Sequence, residues 1–483
     1  MSRQALLPYL LLFSTIGALA GRPNVIVIVA DDHPTTAISA YGSQVIQTPN
    51  IDQLAAAGAR FDSVFCVNSI CGPSRSSILT GTYPHVHGVV DNYHQPDNRR
   101  MTYPERFVDA GYQAALFGKT HFKPHTRLLQ RLDHYQKSNG VHYHNPSFLV
   151  KGRKGVLKEQ GYITDILTDR AIDWVKARDK ERPFLLMLHH PAAHMPFHEP
   201  DALKDRFAKT VFPAPASFDD PAKNQANSPR PFNLTIPGGL LKFQGRKHVW
   251  GDRAWTPPSG LSEKELKHWT YQRLMRAVAS CVTSIDDNLG RLVAALKADG
   301  TWENTIVLYT ADQGFFLGEH GFYDKRMMYD AAIRMPLILR VPGAAAGQVF
   351  DGMILNVDFA PTLLEIAGID AIENVQGRSF APLLQGRALE NWRTAMYYHY
   401  HEDRRNSPLP VRRHYGIRTG DRKLIRFYGG GKPDQWELYN LATDPDELTN
   451  QADNPEYGLR REQLTRELDA LRKALKDTVG PAL

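Results

Sequence analysis

A chain of 483 residues is long for one ordinary domain and fits one large domain with a smaller one. Its apolar and charged fractions, 42% and 23%, are those of a globular protein. The net charge of +7 and the pI near 9.1 come without a dense Lys/Arg run or zinc-finger spacing. This argues against a nucleic-acid reader and leaves a diffuse field that attracts a soluble anion, or a charge with no function.

At the N-terminus, Arg3 precedes a mostly apolar run from Ala5 to Ala20, and Ala18-Leu19-Ala20 forms an A-x-A cleavage site before Gly21. This pattern reads as a secretory signal peptide over residues 1–20. The run is short for a bilayer span, and no Cys follows it as a lipid anchor. The expectation is a secreted or periplasmic protein with no membrane anchor. Three cysteines, Cys66, Cys71 and Cys281, make no disulfide framework, and the sequence leaves open whether Cys66 and Cys281 pair.

Asn24 to Ala30 (NVIVIVA) is a continuous β-branched run, the pattern of a buried parallel strand, with Asp31-Asp32 at its C-terminal end. Helices are expected over Ile51 to Gly58, over Pro73 to Thr80 with Pro73 at the first position, and over Tyr103 to Ala110. Gln113 to Phe117 reads as a strand, Thr164 to Ala177 as an amphipathic helix and Phe184 to His190 as a strand. Residues 199–260, rich in Pro, Gly and Asn, read as a long insertion that shapes a substrate site. A long helix follows over Ser262 to Lys297. Thr305 to Thr310 is a second buried strand, closed by Asp312-Gln313; Leu337 to Arg340 is a strand and Val357 to Ala367 a helix.

Alternating strands and helices argue for an α/β fold with a mostly parallel sheet. Ligands bind such sheets outside the carboxyl ends of strands, where both Asp31-Asp32 and Asp312-Gln313 fall. From about Asn391 the pattern changes to short antiparallel strands over Ala395–Tyr400, Tyr415–Arg418, Lys423–Tyr428 and Trp436–Leu441, followed by a charged helix over Pro455–Lys476. The expected division is a catalytic domain over 21–390 and a smaller α+β subdomain over 391–483.

The strongest local pattern is Cys71-Gly72-Pro73-Ser74-Arg75, continued by Leu79-Thr80-Gly81. It resembles the C-x-P-S-R signature of the type I sulfatases, whose fold is alkaline-phosphatase-like. The resemblance implies that Cys71 is oxidised to formylglycine by a formylglycine-generating enzyme. The hydrated aldehyde has two hydroxyls: one attacks sulfur, and the other expels sulfate by reforming the carbonyl, an exit that Cys or Ser lacks. A helix start beneath the residue favours an anion. Asp31, Asp32, Asp312 and Gln313 offer only oxygen, which selects a hard cation. They match the sulfatase calcium ligands, with the residue at Cys71 completing the set.

The same resemblance assigns the cations. Arg75 matches the Arg that stabilises the aldehyde hydrate. Gly118-Lys119-Thr120-His121 resembles G-K-W-H, with Thr120 in place of Trp; Lys119 holds sulfate and His121 acts as base on the second hydroxyl. His194, in Ala193-His194-Met195-Pro196, sits near the leaving oxygen, with Ala193 where Pro is usual. Lys325 closes a G-E-H-G-x-x-x-K match over Gly318 to Lys325, contacts sulfate and assists the leaving group. Preorganised donors of this kind are worth about 3 kcal/mol each in the transition state. The chain holds 19 His, so most have ordinary structural roles.

Asp31-Asp32-His33, Asn68 to Gly72 and Arg413 to Thr419 together resemble bacterial carbohydrate sulfatases of the N-acetylglucosamine-6-sulfatase type. That implies exo-action on a sulfated glycan, with His94, Arg412 and His414 as candidate sugar contacts beside the segment His142 to Pro146. The alternatives are another sulfated sugar (a 2-sulfated uronate, a galactose or a fucose), a formylglycine-dependent phosphodiesterase or phosphonate monoester hydrolase, and a non-catalytic glycan-binding relative.

Overall fold

The computed structural model describes residues 21–222, 225–226, 232–402 and 411–481. The expected signal peptide lies outside them. Strands of the main sheet are, in chain order, β1 (Asn24–Ala30), β2 (Ala59–Phe61), β3 (Gln113–Gly118), β4 (His134–Ser138), β5 (Ser147–Val150), β6 (Leu157–Lys158), β7 (Phe184–His190), β8 (Thr305–Ala311), β9 (Leu337–Arg340) and β10 (Gln348–Phe350). They are ordered β10-β2-β9-β8-β1-β7-β3-β4-β5-β6. The central run from β8 to β4 is parallel, while β9 runs antiparallel to β8, and β5 and β6 are antiparallel at the other edge.

The continuous apolar run of β1 follows from this position. Val25, Val27 and Val29 face one core layer, whereas Ile26, Ile28 and Ala30 face the other, so neither face needs polar residues. The second layer includes α2 (Ile163–Ala177) and α3 (Glu263–Ala298); Ser262 caps α3, its hydroxyl accepting from Glu265 N–H at 3.3 Å. The first layer includes α4 (Phe359–Ile366). Cys66 and Cys281 are buried free thiols in different layers, so they do not pair.

The C-terminal strands β11 (Ala395–Tyr400), β12 (Arg413–Thr419), β13 (Arg422–Tyr428) and β14 (Gln435–Asn440) form the expected antiparallel sheet, followed by α5 (Gly458–Leu475). This sheet shares the first core layer: Tyr397, Ile417, Leu424 and Leu468 belong to the same apolar cluster as Val25 and Phe61. No helix among the described residues is long and apolar enough to cross a membrane.

Some boundaries differ from expectation. The helix read from Pro73 begins at Cys71 and runs to Thr80; it is α1 below. The helix expected from Val357 starts as a single tight turn over Asn356–Asp358 before α4. Strands β2, β4, β5, β6 and β10 carry too little apolar alternation to stand out in sequence. Within 199–260, short helices Gly238–Gln244 and Lys247–Trp250 replace an unstructured loop.

Candidate active site

The two acidic pairs meet, as the parallel order of β1 and β8 requires. Ala30 pairs with Ala311, so the residues just beyond them emerge side by side. Asp32 N–H donates to Asp312 Oδ1 at 3.2 Å, and the Gln313 side-chain NH2 donates to Asp32. Asp32 sits in the left-handed region at φ 58°, which turns its carboxylate back over the strand end. Asp31, Asp32, Asp312 and Cys71 each present a ligand atom within 4.8 Å of the others, and all four are buried.

Cys71 is the first residue of α1. Its Sγ lies 3.3 Å from Lys325 Nζ, 3.5 Å from Asp31 Oδ1, 3.6 Å from Gln313 Nε2 and 3.9 Å from Lys119 Nζ. One turn on, Arg75 places Nε 2.9 Å from Asp312 Oδ2 and NH1 3.1 Å from the Lys119 carbonyl, tying the helix to both strand ends. Lys119 pairs with Asp31, and Lys325 donates to both oxygens of Asp32 at 2.5 and 2.6 Å. Three buried carboxylates are thus answered by three buried cations.

Lys119 reaches this point because β3 ends in Gly118. At φ 111° a Cβ there would stand 1.9 Å from the His189 carbonyl oxygen of the adjacent strand, so only glycine permits the turn. Lys325 is delivered by a short hairpin, Phe316–Leu317 paired with Tyr323–Asp324. Asp324 and Arg326 on either side of it have φ of 81° and 93°. The 199–260 insertion braces that hairpin. Asp220 meets His320 Nδ1 at 2.9 Å, the Gly321 carbonyl accepts from Ile236 N–H at 2.9 Å, and the Asn233 carbonyl accepts from Tyr323 OH at 3.0 Å. Its structural role is therefore to position Lys325.

Burial sets the protonation of the site against the charges within it. Burial tends to strip the proton from Lys325, yet Asp32, with Asp324 and Asp31 in support, holds its pKa well above the usual range. Lys119 is raised in the same way by Asp31 against its burial. Asp31 is pushed up by burial but pulled lower overall by Lys119, His194 and Arg75. Burial first, then Asp31, pushes the Cys71 thiol up, so the unmodified thiol is a poor nucleophile. Burial, then Lys119 and Arg75, drives His121 well below its ordinary value, which leaves a neutral imidazole. Its Nε2 is buried without a hydrogen-bond partner. His194 is lowered by burial and Lys119; its Nε2 lies 3.7 Å from Asp32 Oδ2, and Tyr143 OH, from the segment 142–146, donates to its carbonyl.

The donor set fits a hard cation. The fully buried Gln313 spends its NH2 on Asp32, while its side-chain oxygen has no partner. A buried amide oxygen beside three carboxylates is a donor set suited to a hard cation.

His94 lies on an exposed loop, its Nδ1 2.8 Å from Asp91, and that loop abuts the start of α1. Of the other two expected sugar contacts, the structure corrects His414. His414 is fully buried, stacked on Tyr398, Tyr400 and Phe427. Arg412 spends its guanidinium on Gln435 and the carbonyls of Phe427 and Pro433 along the edge of the C-terminal sheet. Alternation along β12 turns His414 inward, a consequence of strand register that the short motif did not reveal.

Sequence reasoning also missed Asn92, whose Oδ1 accepts from Gly72 N–H at 2.7 Å, so that donor at the helix start is already satisfied. Ser74 and Asn356 were missed as well. Ser74 Oγ donates to the Asp312 carbonyl and accepts from Asn356 Nδ2 at 2.9 Å, locking α1 to the second acidic pair. No local signal marks these residues; they act through contacts remote in sequence.

Comparison with known proteins agrees with this geometry. Residues 23–369 match the family model described as Sulfatase, and residues 318–474 match N-sulphoglucosamine sulphohydrolase, C-terminal. An N-acetylglucosamine-6-O-sulfatase of Bacteroides thetaiotaomicron is 38% identical over 94% of this chain and 87% of its own length. The human N-acetylglucosamine-6-sulfatase is 27% identical over 90% of this chain and 82% of its own. A solved structure in complex with its substrate D-glucosamine-2-N,6-O-disulfate superposes with a TM-score of 0.87 at 38% identity, covering 95% of this chain and 99% of that one.

Proposed function

We propose that this chain, which belongs to the sulfatase family and is a sulfuric ester hydrolase, removes the 6-O-sulfate from a terminal N-substituted glucosamine of a glycan. The observation that carries the reading is the similarity to a 6-O-sulfatase over 94% of the chain, together with a complete cation and carboxylate set around Cys71. The apolar run Ala5–Ala20 and its A-x-A site support a secreted or periplasmic enzyme.

Oxidation of Cys71 to formylglycine by a maturation enzyme supplies, once hydrated, a hydroxyl to attack sulfur and a second to release sulfate. Calcium is the proposed metal, held by Asp31, Asp32, Asp312, Gln313 and the residue at Cys71, and it supplies positive charge beside the transferring group. The chain's own side chains do the rest. Lys119 and Arg75 hold positive charge beside Cys71, where the sulfate oxygens would gather negative charge. Lys325, kept protonated 3.3 Å from the residue at Cys71, stabilises the departing sugar oxygen in this reading, assisted by His194. His121, kept neutral, takes the proton from the second hydroxyl in this reading. His94, on the exposed loop against the start of α1, and the partly exposed Arg412 remain candidate sugar contacts.

The test is a panel of 6-sulfated N-acetyl- and N-sulfoglucosamine, 2-sulfated uronates, sulfated galactose and fucose, and a phosphodiester, combined with mass spectrometry of the Cys71 peptide. Fastest turnover of the 6-sulfated glucosamines by chains carrying formylglycine agrees. Faster cleavage of another sulfated sugar overturns the substrate, and full activity from an intact Cys71 thiol overturns the nucleophile.

A further inference from the structure

A second group of ligating side chains lies where the N-terminal half meets the C-terminal sheet. His85 comes from the one-turn helix Pro84–His87, His401 from the end of β11, and Asp477 from just beyond α5. A nitrogen of each imidazole and a carboxylate oxygen lie within 4.8 Å of one another.

The hydrogen bonding around them is incomplete in an informative way. His85 Nε2 lies 2.9 Å from the Leu475 carbonyl, an acceptor, so that nitrogen carries the proton. Its Nδ1 then presents a lone pair toward Asp477 Oδ2, 3.6 Å away, and has no hydrogen-bond partner. His401 is 9% exposed, and neither of its ring nitrogens has a partner. A proton on His85 would satisfy the first mismatch and leave both nitrogens of His401 bare. A cation that accepts one lone pair from each ring satisfies His85 Nδ1 and one nitrogen of His401.

The surroundings are those of an oriented ligand set. His399 Nδ1 meets Asp477 Oδ2 at 2.6 Å, and its Nε2 meets Tyr428 OH at 2.7 Å. Tyr397 OH donates to the same carboxylate oxygen at 2.8 Å, and Val479 N–H donates to Asp477 Oδ1 at 2.9 Å. Such outer contacts fix a ligating carboxylate.

We infer that His85, His401 and Asp477 form a second metal centre that takes a zinc-type divalent ion and ties β11 and the C-terminal tail to the N-terminal half. Two imidazoles with one carboxylate select a borderline cation, not the hard cation suited to the oxygen ligands near Cys71. Ligands on a tetrahedral zinc stand about 3.3 Å apart. The His85–Asp477 pair, 3.6 Å apart, is nearly there, and a His401 ring nitrogen lies within 4.8 Å of both. Three protein ligands leave one position for water.

The consequence reaches the catalytic helix. The His399 carbonyl accepts from Asn68 Nδ2 at 2.7 Å, and His399 N–H donates to the Val67 carbonyl at 3.2 Å. The strand that carries His401 thus backs the segment leading into Cys71. The centre's role is to hold that backing in place; it touches no reacting atom.

The test uses matured full-length enzyme in excess calcium, stripped of other metals and titrated with zinc. Plasma mass spectrometry should count one tightly held zinc per chain, and Tm should rise by several degrees as the site fills. Cobalt(II) in its place should give the intense visible bands of a tetrahedral site. His401→Ala and His85→Ala should lose the zinc and the Tm rise while keeping kcat in calcium alone; His401→Gln serves if the alanine variant folds poorly. Wild type that retains no zinc, or variants that retain as much as wild type, overturns the inference. So does a Tm that rises on acidification and is indifferent to zinc, which would make the cluster a protonated histidine pair.

Discussion

Around Cys71 every carboxylate has its own cation: Asp31 has Lys119, Asp32 has Lys325 and Asp312 has Arg75. At the C-terminal junction Asp477 meets imidazoles and a tyrosine hydroxyl instead. The first cluster gathers its charges on strand ends and strained turns, with Asp32, Asp324 and Arg326 all at positive φ. The second grows from the ends of β11 and α5, where Lys476 before Asp477 also has a positive φ, and holds segments together. The contrast separates a site that holds charge in readiness for a reaction from one that closes a seam.

The largest expected effect comes from Cys71→Ala. The thiol makes only long contacts to its neighbours, so its loss opens a small void worth about 1 kcal/mol. Turnover of a 6-sulfated glucosamine should fall by more than about 10⁴-fold, with Tm within a few degrees of wild type. A large drop in Tm would show that the catalytic cluster also carries the fold, and the contrast would break. Asp477→Asn should give the opposite pattern. Removing the charge on which His399, Tyr397 and His85 converge should cost about 3 kcal/mol of stability in denaturant unfolding and leave kcat unchanged. An unchanged midpoint would remove the seam-closing role.

The catalytic cluster was legible because short runs carried its parts. Asp31-Asp32 and Asp312-Gln313 follow apolar strands, and parallel pairing of Ala30 with Ala311 brings the two pairs together. The junction cluster was not, since His85, His401 and Asp477 belong to no motif and meet only through the packing of β11 on the N-terminal half. His414 was misread for the same reason: a histidine beside two arginines looks like a binding residue until strand register turns it between aromatic rings. The long helices and central strands were legible from periodicity, whereas the edge strands β5, β6 and β10, partly exposed, gave no pattern. The insertion's bracing of Lys325 depends on contacts from Ser217 to Ile236 that no spacing encodes.

A buried acid in a third setting sharpens the contrast. Among the described residues, Glu437 on β14 faces no close cation; its oxygens accept from Ala226 N–H at 2.6 Å, Tyr329 OH at 2.9 Å and Tyr439 OH at 3.1 Å. Burial dominates and outweighs those bonds and the more distant Lys423, so its pKa is pushed up to about 7 from an ordinary 4.5. Asp477 is also penalised by burial, yet His399 and His85 pull it below the usual carboxylate range. For Glu437 the folded chain holds its proton more tightly than the unfolded chain. Between pH 4.5 and about 7 the unfolded state releases a proton that the folded state keeps. This contribution to stability is therefore complete below pH 4.5, falls as pH rises and is flat above about 7. The span corresponds to on the order of 3 kcal/mol. Glu447, also raised to about 7, and Glu319, raised to about 6, add slopes of the same sign, so the wild-type curve alone does not isolate one residue. The difference between wild type and Glu437→Gln does. An amide keeps the acceptor oxygen and cannot ionise, so the stability of wild type relative to the variant should decline across that window. A difference that is flat, or that rises with pH, would mean that Glu437 is ionised in the fold and that Lys423 pairs with it as cations pair with the acids around Cys71.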